Sequence, residues 1–411
     1  MKTIITFIVV LACAVFVASC QTVADNQSVI NKQWTVMLYF NGDDPVLEGD
    51  FIDAFTRLAE GKVGSNNAVN IIVQFDRIPG HDTLYGNWVI TNRYFLRPGM
   101  LPTMENAIRD WGDGKAGREI KMDQPESLTN FIRWGQQNYP AKKYALVVAD
   151  HGFAWQGLSI DATSDDNFMF LPELKKAIID GGVKFDMLAL DACLMQTIEV
   201  AYELKECAAD VMIGSQNPGS TWPFWSFLPQ LLNHPDLTAE QFGKIIVESY
   251  SDWQSSSQDA TLAELQFSYL DDVIRSFSKL VTSMTDGSPL PKVQKTAQVV
   301  MDQIERAILI SKNHGEWDSI AHGLSIYFPQ KTTEFRPEFF AYYYIGKMAA
   351  FAEDQMWRDF LNIYFDPMSS KKHILPAIYR IRPSMKTFVA SDNIDLYDFC
   401  KRIVYYQNQQ P

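Results

Sequence analysis

Apolar and β-branched residues occur along this chain in short continuous runs, separated by stretches where they recur every three or four positions. The runs have strand length: WTVMLYF (Trp34 to Phe40), NIIVQF (Asn70 to Phe75), YALVVA (Tyr144 to Ala149), FDMLAL (Phe185 to Leu190), DVMIGS (Asp210 to Ser215) and GLSIYF (Gly323 to Phe328). Continuous rather than alternating hydrophobicity predicts strands covered on both faces, as in a parallel sheet. Tyr85 to Tyr94 reads as one further strand and its return, with a turn near Gly86-Asn87.

The periodic stretches predict helices at Leu47 to Leu58 and at Gln196 to Lys205. Another begins with Asp123 as N-cap, Pro125 in the first turn and Glu126 three residues after the cap, and runs to Gln137. A fourth opens at Leu171-Pro172-Glu173-Leu174 and stops near Gly181-Gly182. The spacing from Tyr144 to Leu190 is that of a right-handed strand, helix, strand unit, which places the two strands parallel and close. From Leu237 to about Lys312 the pattern is helical, with caps at Thr238 and Ser288. Beyond Pro329 come an aromatic helix over Trp357 to Tyr364 and a proline-punctuated tail.

Two runs end in reactive side chains. YALVVADHG delivers His151, FDMLALDACLM delivers Cys193, and in open α/β sheets ligands bind at the carboxyl edge of the strands. A thiol and an imidazole at one edge are the minimum for a cysteine nucleophile and its general base. A cysteine after an apolar strand is more often a packed hydrophobe. What raises the pair above that reading is the equivalence of the two strand ends and the small residues Gly152 and Ala192, which let a substrate approach the backbone. The chain has no CxxC, HExxH or GxSxG. Asp43-Asp44 and Asp161 to Asp166 are acidic loops that could take calcium, but without EF-hand spacing they are expected to be solvated turns. No cofactor or metal is expected. Cys207 and the other histidines are expected to be structural.

The start of the chain adds a location. Met1-Lys2-Thr3, the apolar stretch Ile4 to Val17 and Ala18-Ser19-Cys20 have the layout of a secretory signal, too short to be a comfortable membrane span. Val17-Ala18-Ser19-Cys20 resembles a bacterial lipobox. Cys20 would then carry lipid, residues 20–33 would serve as a tether, and the protein would touch a membrane of the bacterial cell envelope only through that anchor. With Cys13 removed and Cys20 modified, Cys193, Cys207 and Cys400 remain, an odd number that leaves at least one free thiol. The composition of the 411 residues, 47% hydrophobic and 21% charged, is that of globular protein, and the net charge of −13 with no basic stripe argues against nucleic acid as a partner.

Four segments in this order, WTVMLYFNGDD, YALVVADHG, LDACLMQTIEVAYEL and HGLSIYFP, resemble the clostripain-like (C11) cysteine peptidases, relatives of caspases, gingipains and legumains. The resemblance runs from about Trp34 to Pro329. It implies an α/β fold, a caspase-like three-layer α/β/α sandwich, expected over residues 34–331; the patterns above add a helical insertion at about 237–312, a C-terminal extension over 332–411 and a lipoprotein signal at 1–19. Its implied chemistry is peptide or protein hydrolysis, with Cys193 attacking the scissile carbonyl, His151 handling protons at the leaving amine, and the backbone N–H groups of Gly152 and Cys193 stabilising the oxyanion. No third catalytic side chain is implied.

The family generally cleaves after Arg or Lys, and Asp191 matches an acidic position of the S1 pocket. The chain departs from the pattern in the loop after DVMIGS, which reads Gln216 to Trp222 with no carboxylate before Asp236. A pocket with one acidic group and the bulky Trp222 is expected to bind a basic side chain weakly or prefer another. Gly152 to Leu174 contains no Lys or Arg, the first being Lys175 and Lys176 inside a predicted helix. A single-chain enzyme, or maturation by another protease, is therefore expected. Two rival readings are a catalytically inactive peptide-binding lipoprotein and a cysteine transpeptidase or amidase acting on cell-wall peptides.

Overall fold

The structure is a computed structural model and describes residues 32–164, 167–254, 259–329, 351, 357–365, 376–382, 385–386 and 392–406. The segment expected to be a secretion signal, Cys20 and nearly all of the expected tether lie outside the described residues. Eight strands form the main sheet: β1 (Trp34–Gly42), β2 (Val69–Arg77), β3 (Asn92–Phe95), β4 (Lys143–Ala149), β7 (Phe185–Asp191), β8 (Ala208–Gly214), β9 (Ala260–Gln266) and β10 (Ile308–His314), in the order β10-β9-β8-β7-β4-β1-β2-β3. The five central strands β2, β1, β4, β7 and β8 are parallel, and β3, β9 and β10 add antiparallel edges.

Helices cover both faces, which is why the central strands carry unbroken apolar runs. Every residue of β1 and β2 is buried. Along β1, Val36, Leu38 and Phe40 face one layer, built by α1 (Leu47–Glu60), α5 (Phe224–Asn233) and α6 (Ala239–Trp253). Met37 and Tyr39 face the other, built by α2 (Pro125–Asn138), α3 (Leu171–Gly181), α4 (Ile198–Leu204), α7 (Phe267–Thr285) and α8 (Leu290–Ala307). The result is the three-layer α/β/α sandwich.

Local chemistry sets the helix ends. The Glu173 carboxylate accepts the Phe170 N–H at 3.0 Å to start α3, and Gly182 closes it at φ +76°. Thr238 and Gln241 form a reciprocal capping box on α6. Two expected caps are corrected. Gln124 stands at the start of α2 while Asp123 is buried, its charge acting on Tyr39. Ser288 is not the cap of α8, which has Pro289 there and Pro291 in its first turn.

The hairpin expected over Tyr85 to Tyr94 is also corrected: only Asn92–Phe95 is a strand. Tyr85, Gly86 and Asn87 all have positive φ, and the loop is pinned from below by buried Arg77. Arg77 pairs with Glu48 at 2.7 Å, donates to the Leu84 and Asp82 carbonyls, and lies under the Trp88 ring. A guanidinium with those demands holds a loop rather than a ladder. Leu237 to Lys312 is not wholly helical either, since β9 and β10 run through it and extend the main sheet. The loop after His151 contains a small hairpin, β5 (Gly157–Asp161) with β6 (Asn167–Phe170).

The described part of the C-terminal region packs on the core. Helices α9 (Trp357–Phe365), α10 (Pro376–Ile381) and α11 (Leu396–Val404) contribute Trp357, Phe360, Ile378, Phe399 and Ile403 to the layer holding α7 and α8. A second two-stranded sheet pairs β11 (Ser325–Tyr327) with β12 (Asn393–Asp395).

Candidate active site

In chain order the sheet grows from β1 to β2 on one side and from β1 to β4, β7 and β8 on the other. Connections therefore diverge above the carboxyl ends of β1 and β4, where open α/β sheets leave a crevice. Strands β4 and β7 finish level, Ala149 pairing with Asp191, and the Asp150 N–H donates to the Asp191 carbonyl at 3.1 Å. His151 and Cys193 each stand two residues past that pair. Equal register is what brings them to one height.

The two backbones then touch. A Cβ built on Gly152 would stand 2.2 Å from the Cys193 carbonyl oxygen and 3.0 Å from the Cys193 nitrogen, so only glycine permits the approach. Leu194 follows the thiol at φ +67°, a strained conformation for a branched residue, which turns the chain sharply after Cys193.

A cavity of about 150 Å³ opens between these segments, room for one side chain rather than a whole ligand, and it is lined by His151, Cys193, Asp191, Trp222, Asp50 and Tyr250 among others. The structure thus gathers every site residue named above that lies among the described residues, Gly152 by its backbone contact with Cys193. Burial pushes the Cys193 thiol above its ordinary value, while the Gly219 backbone amide pulls it back. Asp191 is buried at the cavity wall; its Oδ2 accepts the Trp222 N–H at 3.1 Å. Burial holds its carboxyl well above the usual range, and the Asp50 charge adds to this.

Asp50 corrects the expectation of a single acidic group. It comes from the first turn of α1, faces the same cavity, and accepts the Thr221 hydroxyl at 3.3 Å. Trp222 is 2% exposed and fills wall rather than entrance. The loop from Gln216 to Trp222 is tied from the C-terminal region: Gln216 donates to Asp395 Oδ2 at 3.0 Å and accepts the Gly323 N–H at 2.8 Å.

Sequence reasoning also missed Asp44. Its Oδ1 accepts the Val46 and Leu47 amides at 2.7 and 3.0 Å, which starts α1, and it stands 3.3 Å from His151 Nε2. A carboxylate so held can orient the imidazole and leave Nδ1 for proton transfer. The only signal for Asp44 and Asp50 is their place just beyond the end of β1, at the edge that carries His151 and Cys193.

The acidic loops are not solvated turns. Asp43 and Asp161 are buried, and with Asp76 and Glu119 they turn carboxylate oxygens toward one another, all within 4.8 Å. Asp165 and Asp166 lie outside the described residues. Among the described cysteines, Cys193, Cys207 and Cys400 are unpaired. Lys175 and Lys176 lie in α3, where Lys175 pairs with Glu206 at 3.0 Å. No helix among the described residues is long and apolar enough to cross a membrane.

Comparison with known proteins adds a family to this geometry. The model of the clostripain family, peptidase C11, matches residues 39–304, well over half of the chain. Clostripain of Hathewaya histolytica is 26% identical over 208 residues, a match spanning 45% of this chain and 39% of that protein's length. An inactive zymogen C11 protease from Parabacteroides distasonis superposes with a TM-score of 0.57 at 20% identity, covering 79% of this chain and 98% of its own. A secreted C11 cysteine protease from Bacteroides thetaiotaomicron, solved with an irreversible peptide inhibitor, gives 0.53 at 19% identity, covering 69% and 85%. At such identities the two structures speak for the fold.

Proposed function

The chain belongs to the clostripain family, and on that premise we propose that it is an exported cysteine endopeptidase working through Cys193 and His151. The observation that carries this reading is the convergence of thiol, imidazole and a buried carboxylate on one cavity at the divergence point of the sheet. The Cys193 thiolate attacks the scissile carbonyl, the oxyanion is met by the backbone N–H groups of Gly152 and Cys193, and His151 passes a proton to the leaving amine nitrogen. Water then attacks the thioester, giving up a proton to His151 and releasing the acid product.

The residue before the scissile bond is Arg or Lys. Asp191 and Asp50 face the space its side chain would occupy, and a cation there would compensate the burial that disfavours the Asp191 charge. Asp44 orients His151. Because no basic residue lies between Gly152 and Leu174, the active form is a single chain or one matured by another protease, not by itself. Cys20 anchors it by lipid to the cell envelope, as loss of labelling by a palmitate analogue in Cys20→Ala would report.

The deciding experiment incubates the protein with fluorogenic peptides differing at P1, beside Cys193→Ala and a thiol-directed probe. Turnover of basic-P1 peptides with Cys193 labelled is the expected result. Absence of both turnover and labelling would leave a peptide-binding lipoprotein instead. Appearance of a two-chain form that Cys193→Ala fails to produce would overturn the single-chain reading.

A further inference from the structure

The segment HGLSIYFP takes no part in the chemistry at Cys193, yet it carries β11, which pairs with β12 from the C-terminal region. Both walls of the cavity are tied to this small sheet. On the nucleophile's side, the chain leaving the sharp turn at Leu194 is held at Gln196 and Thr197. The Gln196 carbonyl accepts the Ser325 N–H at 3.0 Å and the Ser325 hydroxyl at 3.1 Å, and Thr197 bridges to Ser325. The Gln196 N–H donates to the Ser215 carbonyl at 2.9 Å, which joins the nucleophile turn to the end of β8.

The other wall is the loop that follows β8, where Ser215 and Gly219 to Trp222 line the cavity. Gln216 is 1% exposed and turns both polar atoms of its side chain to the C-terminal side: Nε2 donates to Asp395 Oδ2 at 3.0 Å, and Oε1 accepts the Gly323 N–H at 2.8 Å. Gly323 can present that amide because it has φ +89° and because Ile308 and Ala263 would stand 2.8 and 3.0 Å from any Cβ there. Asp395 is fixed in turn. Its Oδ2 accepts the His322 N–H and its Oδ1 the Asp398 N–H, each at 2.7 Å, so one buried carboxylate caps α11 and holds the root of the loop.

The far end of the loop reaches the two acids of the cavity. The Trp222 N–H donates to Asp191 and the Thr221 hydroxyl to Asp50. Where the loop stands therefore decides how both carboxylates are aimed, and Gln216 decides where it leaves β8.

We propose, resting on the peptidase reading above, that the β11–β12 sheet braces both walls of the P1 cavity. Gln216 and Asp395 are then positioning residues through which the C-terminal region sets how tightly a basic P1 side chain is held. Neither touches substrate; they act through the backbone that carries Thr221 and Trp222.

The test uses the full chain and Gln216→Glu, which keeps an acceptor for the Gly323 N–H but sets a second carboxylate against Asp395. Hydrogen exchange, which needs no turnover, should quicken at least about tenfold at residues 216–222 and stay unchanged in β1 and β2. KM for an Arg-P1 peptide should rise about tenfold, with kcat per labelled Cys193 nearly constant and a neutral-P1 peptide little affected. Adding Asp395→Asn removes the like-charge contact and should recover KM by about threefold or more, which loss of folded protein cannot imitate. Gln216→Met, which breaks the contact without new charge, should move exchange and KM the same way and serves if the first variant does not fold. Unchanged exchange in the loop overturns the brace. Faster exchange with unchanged KM, or equal losses on both peptides, overturns the role in P1 binding. A wild-type protein without turnover sinks the peptidase reading instead, and exchange still decides the brace.

Discussion

Two groups of carboxylates lie at the carboxyl edge of one sheet, on either side of the dyad, and they differ in what faces them. Asp191 has one internal donor, the Trp222 amide, and opens with Asp50 onto a cavity. Asp43, Asp76 and Asp161 are closed on one another, with two oxygens left without donors. Burial raises the carboxyls of both groups. The difference is access: a carboxylate beside an open cavity can be complemented by a visitor, whereas a closed set is out of a visitor's reach.

The largest effect lies between the two groups. Neither can support turnover without the thiol, so Cys193→Ala should lower kcat/KM by at least about 10⁴-fold, the scale seen when a nucleophile is removed. Its Tm, read by calorimetry, should change little, since a half-buried thiol gives way to a smaller apolar group. Residual turnover within tenfold of wild type would move the chemistry to another residue.

Removing the visitor's partner comes next. Asp191→Asn should lower kcat/KM for an Arg-P1 peptide by about 10²-fold or more, the cost of about 3 kcal/mol when one member of a buried charge pair is lost, while a neutral-P1 peptide changes little. Asp50→Asn should cost less, about tenfold, because the group is half exposed and screened. Equal losses on both peptides would mean that Asp191 supports the loop through Trp222 rather than reading charge.

The same comparison has a pH signature. Asp191 is raised, so in the free enzyme it is protonated over a range where an ordinary carboxylate is ionised. The ratio of Arg-P1 to neutral-P1 kcat/KM should therefore climb as pH rises through that elevated value and be flat in Asp191→Asn. Taking a ratio removes the separate rise caused by ionisation of Cys193, which is also elevated and acts on both substrates. A ratio that is flat in wild type would separate Asp191 from charge recognition.

The strands that deliver His151 and Cys193 were legible because burial on both faces writes an apolar run with a polar end, a pattern that needs no partner to be read. The edge strands were not. β10 (ILISKNH) is only partly buried, and β9 (ATLAELQ) contains the buried Glu264 amid small residues, so neither carries that run. Asp191 was singled out only by the family resemblance, which matches it to an acidic position two residues before Cys193. Asp44 and Asp50 reach the same site through the switch in strand order, and Asp43, Asp76, Glu119 and Asp161 converge from four segments; separation in sequence hides both. Arg77 shows the reverse case, since a charge within an apolar strand gave no hint that it would dissolve a neighbouring hairpin.

A third carboxylate completes the comparison, because its cation is part of the chain. Asp395 Oδ1 lies 3.1 Å from His322 Nδ1, and its Oδ2 accepts the His322 N–H at 2.7 Å and holds Gln216 at the root of the Trp222 loop. Burial would lower the His322 pKa, but the hydrogen bond and charge of Asp395 outweigh it, and the net shift is upward. A folded value above the unfolded one stabilises fully below about pH 6.5, and that contribution is lost as pH rises through the folded value. The Tm difference between wild type and His322→Gln should thus be about 2 °C at pH 6 and shrink toward pH 9. If the difference grew with pH instead, the imidazole would be paired in its neutral form, and Asp395 would be held by backbone amides rather than by charge.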